Sequence, residues 1–229
     1  MVNTEHIQHL SQELEAEINN REAFSSSEKL LKSNPNARQI LLWTLDRCRD
    51  RLVDLSTLET EIQQQDTYTP ACPEPFFVVQ WLVDAKALQA FDIDSCGNII
   101  NDEALRADGL SDDDIDDIIA SYAYTTTNEG WAAAQKYTTS SQMKQLLETY
   151  PEAADVLLSS LSFFRSPRSL YEVGKFLETT LNEEQVSKLA SLANPSVLVN
   201  KLSNASAIEF IDHRWRLSTL GRRFLEEAK

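Results

Sequence analysis

The chain has 229 residues, 42% of them hydrophobic, and sets 21 Lys and Arg against 36 Asp and Glu for a formal net charge of −15. That length holds two small domains or one large one with a real core, and five glycines among many Leu, Ala, Glu and Gln predict a mainly helical fold. Lys and Arg number 8 against 18 acidic residues over 1–105, 2 against 7 over 106–143 and 11 against 11 over 144–229, so the front half repels phosphate backbones and polyanion binding through it is excluded.

No apolar run approaches bilayer length, and the start, MVNTEHIQHLSQELEAEI, is polar and acidic with none of the marks of a signal peptide. No membrane partner is expected. Cys48, Cys72 and Cys96 are odd in number and too widely spaced for a metal clip, which predicts free thiols in a reducing, cytoplasmic setting.

In chain order, residues 1–25 read as an N-terminal helix with Ile7, Leu10, Leu14 and Ile18 at heptad-like spacing. The stripe is either a packing face against its own domain or a dimerising coiled coil, which leaves a homodimer open. His6 and His9 share one face of this helix without a third ligand at suggestive spacing and read as exposed.

From residue 26 a pattern begins that is repeated from residue 141. Residues 29–49 align without gaps on 145–165, so that Leu30, Pro35, Ala37, Leu41, Leu45 and Arg49 reappear as Leu146, Pro151, Ala153, Leu157, Leu161 and Arg165. Residues 75–92 align likewise on 195–212, with Pro75, Val79, Leu82, Ala85, Ala87 and Asp92 matching Pro195, Val199, Leu202, Ala205, Ala207 and Asp212. Paired prolines, alanines and an aspartate in two collinear blocks mark a duplication. Each copy reads as a short helix ended by proline, a longer helix, another short helix, a proline-initiated helix and a β-hairpin. The first hairpin is read as 87–91 going out, 94–97 turning and 98–100 returning; the second as 207–211, 212–214 and 215–217. Residues 106–140 between the copies read as an acidic helical connector, with Ser111 capping a helix whose first turns carry Asp112, Asp113 and Asp114.

Three helices followed by a two-stranded wing is the winged-helix order. The run Trp215-Arg-Leu-Ser-Thr-Leu-Gly-Arg-Arg-Phe-Leu-Glu, and 82–88 at the end of a third helix, resemble the winged helix-turn-helix superfamily over roughly 75 residues in each copy. The resemblance implies a mainly α fold with small β-hairpin wings: two tandem winged-helix-like domains, 26–105 and 141–229, joined by the connector.

No catalytic motif is visible: no nucleophile elbow, phosphate-cradling glycine loop, HExxH or CxxC pair. No cofactor is expected, and the chain reads as non-enzymatic. Residues 92–103 resemble a calcium loop, with Asp92, Asp94 and Glu103 at positions 1, 3 and 12, but Cys96 takes a ligand position and the aligned stretch of the second copy has no such ligands. A wing turn is the expectation there. For DNA, the second copy offers Ser196, Asn200, Lys201 and Asn204 on its third helix, with Arg214, Arg216, Arg222 and Arg223 at and behind its wing. The first copy presents Phe76, Gln80 and Trp81 at the corresponding place, residues suited to protein contacts or to a core shared with the connector. Two functions stay open: a regulatory or adaptor module acting on a protein partner, and a DNA-binding transcriptional regulator using the second copy.

Overall fold

A computed structural model describes residues 4–68 and 72–227, with the side chains of 4–16, 18, 188 and 190 not described. The Ile7, Leu10, Leu14 and Ile18 stripe and both His6 and His9 lie outside the described side chains. The described chain is mainly helical, with one three-stranded and one two-stranded antiparallel sheet. It divides into two compact units, Met1–Gln135 and Lys136–Lys229.

The first unit opens with α1 (Thr4–Ser33), one continuous helix where the sequence suggests a separate N-terminal helix and a short helix from 26. It is followed by α2 (Arg38–Arg47), β1 (Val53–Asp54), α3 (Leu55–Gln63), α4 (Pro75–Asp84) and β2 (Leu88–Ile93). After these come α5 (Asp102–Ala107), α6 (Asp112–Ile118), β3 (Ser121–Thr126) and α7 (Asn128–Tyr137), whose last turn contains the boundary between the units. Asp54 starts α3 by accepting from the Thr57 N–H at 2.9 Å, and Pro75 begins α4 where its missing N–H costs nothing. Leu31, Ile40, Leu41, Leu45, Leu58, Ile62, Val79 and Leu82 bury the inner faces of these helices.

The second unit runs α8 (Thr139–Thr149), a 3-10 turn Pro151–Ala153, α9 (Ala154–Phe163), α10 (Leu170–Thr180) and α11 (Glu183–Leu189). A 3-10 turn Ala190–Ala193 leads to α12 (Pro195–Asn204), β4 (Ile208–Ile211), β5 (Arg214–Leu217) and α13 (Thr219–Glu227). Its core gathers Met143, Leu157, Leu161, Phe164, Val173, Leu177, Leu198, Leu202 and Leu217.

The two units repeat one another in a set of specific bonds. α2 and α9 start and end at aligned residues, as do α4 and α12. A buried hydroxyl sits at the same place in the second helix of each, Thr44 donating to the Ile40 carbonyl and Ser160 to that of Val156. α4 and α12 close alike: Lys86 and Ser206 take left-handed φ of 58° and 57°, and the next N–H, from Ala87 or Ala207, reaches back to Leu82 or Leu202.

The strand that follows is pinned to this helix end. Thr127 Oγ1 donates to the carbonyls of Lys86 and Ala87, at 2.9 and 3.2 Å, and accepts from the Gly130 N–H at 3.0 Å. Ser218 Oγ contacts Ser206 and Ala207 at 2.7 and 3.1 Å and accepts from Gly221 at 2.9 Å. The returning strand is also held to the second helix, Thr126 N–H donating to the Cys48 carbonyl at 3.0 Å and Leu217 N–H to that of Phe164 at 2.7 Å.

This correspondence corrects the first hairpin. Residues 98–100 do not form its return strand; Ile99 makes only an isolated bridge to Ile93. The partner of β2 along its whole length is β3, paired from Leu88 with Thr126 to Ile93 with Ser121, and β3 is the central strand of the order β1-β3-β2. The stretch 106–140 therefore holds a sheet strand and the closing helix α7 of the first unit besides the acidic helix capped by Ser111. What intervenes, 94–120 with α5 and α6, is an excursion inserted between the paired strands β2 and β3, and carries nine acidic residues against one arginine.

A Cβ on Gly130 or Gly221 would collide with the carbonyl oxygen and Cα of Ala87 or Ala207, which is why neither position admits a side chain. Gly130→Ala and Gly221→Ala are each expected to destabilise their own unit by about 2–3 kcal/mol, since backbone atoms rather than a side-chain tip must move. Urea unfolding followed by proteolysis of each unit measures this; substitutions without effect would mean that the close approach is absent.

Candidate functional site

In each unit a groove runs between the first helix and the proline-initiated helix, and the same eight aligned positions line both. In the first unit it has a volume of about 370 Å³ and is walled by Leu30 and Lys29 from α1 and by Trp81 and Asp84 from α4. In the second it has about 240 Å³, and the corresponding residues are Leu146, Gln145, Lys201 and Asn204. The two grooves thus share their lining positions and differ in chemistry at 81 and 84 against 201 and 204. The Lys201 ammonium lies 5.7 Å from the centre of the Tyr150 ring, so its stem follows the groove wall.

The exposed arc of α4 is aromatic. Phe76 and Phe77 are 45% and 48% exposed and meet edge to face with ring centres 5.5 Å apart. Gln80 donates to Asp84 at 2.7 Å one turn along, and half-buried Trp81 turns from this arc into the groove. Phe76, Gln80 and Trp81 therefore fall on one surface, as helical spacing requires; Phe77 belongs with them and was missed, because a mainly apolar helix gives no periodicity to single it out. The helix and its cap carry Glu74 and Asp84 and no Lys or Arg. Over the whole unit, Met1–Gln135, 25 acidic residues face 9 basic ones, a net −16. Lys136–Lys229 has 11 against 12, a net +1, so the entire excess negative charge belongs to the first unit.

On α12, Ser196, Asn200 and Asn204 are exposed along one face. The arginines of β5, however, have carboxylate partners. Arg214 pairs with Glu172 at 3.2 Å, and Arg216 with Glu209 at 2.8 Å directly across the β4–β5 ladder. Glu172 is already engaged, accepting from the Ser169 N–H and hydroxyl at 2.8 Å in the box that starts α10, and Arg168 approaches it at 3.5 Å. Those Ser169 bonds, followed by Arg214 and Arg168, hold its carboxyl below the usual glutamate range. Arg222 and Arg223 are exposed on α13. The turn end of the β4–β5 pair is more aromatic than the sequence pattern indicates: the ring of exposed Phe210 lies 4.8 Å from that of Trp215 and 6.4 Å from that of His213, and Tyr171 on α10 is 71% exposed.

At the calcium-loop look-alike, Asp92 lies in β2, Glu103 in α5, and the Asp94 carboxylate is spent on a local turn. It accepts from the Cys96 and Asn98 N–H groups at 2.8 Å and the Asn98 side chain at 3.0 Å, bonds that draw its carboxyl below the ordinary range. Among the described residues no group of three His, Cys, Asp or Glu gathers as a metal site. Cys48 is fully buried, and burial pushes its thiol up to about 12, where it packs as an apolar residue without thiolate character. No helix of the described residues is long and apolar enough to cross a membrane.

No protein-family model, curated protein or solved structure matches the chain.

Because Glu172 is depressed in the folded state, its charge stabilises the fold fully above the unfolded glutamate value of about 4.3, and the contribution is lost as pH falls through the lower folded value. Glu172→Gln is expected to lower the urea midpoint at pH 7 and to unfold with the wild type once the pH is below the lowered folded value. A deficit that persists unchanged in acid would show that the carboxylate charge does not contribute.

Proposed function

We propose that this chain is a non-enzymatic adaptor of two tandem winged-helix units, acting through protein contacts made by the first. The winged-helix reading is supported by the element order in each unit: helices, then a proline-initiated helix, an antiparallel strand pair and a closing helix. The observation that carries the adaptor reading is the face of α4. At the positions where the second copy has Ser196, Val197 and Lys201, the first exposes Phe76 and Phe77 and half-buries Trp81 on a unit of net charge −16. Exposed aromatics on a continuous helix face favour desolvation by a protein partner, and the charge disfavours phosphate.

The second reading, a DNA-binding regulator, rests on the exposed polar face of α12 with Arg222 and Arg223 in the same charge-balanced unit. It is weakened by Arg214 and Arg216: using either on a phosphate means giving up a carboxylate already in place.

A duplex-DNA mobility shift at low salt, run beside capture of partners from native lysate on the full-length chain, separates the two. The adaptor reading expects no shift, and a captured protein that is lost with Phe76→Ser while the thermal transition is kept. A salt-sensitive shift that weakens with Arg222→Ala and Arg223→Ala, with no Phe76-dependent partner, would replace it by the DNA reading.

A further inference from the structure

We infer that the groove beside α4 in the first unit is the seat of a cationic amphipathic helix supplied by the protein partner. This rests on the adaptor reading and names the chemistry of what is bound. The surface has the two parts that helix-in-groove recognition needs: an apolar floor and wall, made by Leu30 and Trp81, and exposed aromatic anchors, Phe76 and Phe77, one turn earlier on α4. α4 is ten residues long, about 15 Å, which matches two to three turns of a bound helix with apolar side chains three and four apart.

The sign of the partner follows from the charge. Glu74 and Asp84 bracket the aromatic arc with no cation on the helix, and the unit as a whole carries −16. Lys29 is the cation among the residues lining the groove, and Lys86 beyond the helix end is paired with Glu22 at 3.7 Å. An anionic or neutral partner would meet this field unfavourably or without gain, whereas a basic one is steered toward it and held at both ends of α4. The aligned groove of the second unit shows what the assignment excludes: there Trp81 is replaced by Lys201, which lies against Tyr150, and Asp84 by Asn204, so a cation stands in place of the indole and the acidic end is absent.

The test uses the full-length chain and three fluorescent peptides of about 18 residues with the same amphipathic leucine pattern, the polar positions filled by Lys, Gln or Glu. Anisotropy titrations are expected to show binding of the Leu/Lys peptide, weakened about tenfold by Phe76→Ser with Phe77→Ser and about threefold by Asp84→Lys, and unmoved by Phe210→Ser in the second unit. The substituted residues are about half or more exposed, and Asp84→Lys supplies a variant that leaves the aromatics in place. If the Gln or Glu peptide binds as tightly as the Lys peptide, or the Lys peptide does not bind, the cationic assignment is overturned while a Phe76-dependent lysate partner would keep the adaptor reading. If the Lys peptide binds the Phe76/Phe77 variant unchanged, the attraction is charge alone and the groove assignment is overturned.

Discussion

A single hydroxyl stands at the centre of each unit. Thr127 in one and Ser218 in the other join the end of the proline-initiated helix, the end of the returning strand and the first turn of the closing helix through one oxygen that both donates and accepts. The helix end that it caps has its own constraint, a left-handed residue followed by an N–H that reaches back five positions, and the closing helix can approach only because Gly130 or Gly221 lacks a side chain. These features depend on each other: without the hydroxyl, the carbonyl of Ala87 or Ala207 and the glycine N–H lose a shared partner at the point of closest backbone approach.

Around this fixed junction the two copies have diverged in what their surfaces offer. The clearest internal case joins the second and third helices. In the first unit Arg47 donates to Glu61, with a 2.7 Å contact from its terminal nitrogen, and the aligned positions of the second unit hold Phe163 stacked on Phe176 with ring centres 4.4 Å apart. An ion pair and an aromatic stack of similar reach serve the same packing position, as buried or half-buried ion pairs generally can be replaced by apolar contacts. The grooves differ in the opposite sense at two aligned positions: Trp81 and Asp84 in the first stand where the second has Lys201 and Asn204. Scaffold and surface thus vary separately between the two units.

Much of this was legible in the residues. The paired prolines located α4 and α12, the leucine spacing located the cores, and Leu217-Ser-Thr-Leu-Gly221 identified the turn into a closing helix. The first copy of that turn, Thr126-Thr127-Asn128-Glu129-Gly130, was hidden because the excursion at 94–120 displaces it from the strand it pairs with, and a two-residue turn signal at Asp94 and Gly97 offers a nearer return. Strand pairing across such a gap leaves no local pattern. The candidate site was half legible: Phe76 and Trp81 stood out against Ser196 and Lys201 in alignment, whereas the ion pairs that occupy Arg214 and Arg216 come from Glu172, far away in sequence, and from a ladder register that only the fold specifies.

The claim that everything else depends on is that both units are closed by the same junction, and native-state hydrogen exchange of the full-length chain measures it residue by residue. The amides of Thr127 and Gly130, and of Ser218 and Gly221, are expected among the slowest of their own unit, with those of 95–99 in the excursion exchanging far faster. Junction amides that exchange as fast as the excursion would contradict the account, because strands and closing helices would then not be pinned where the duplication places them.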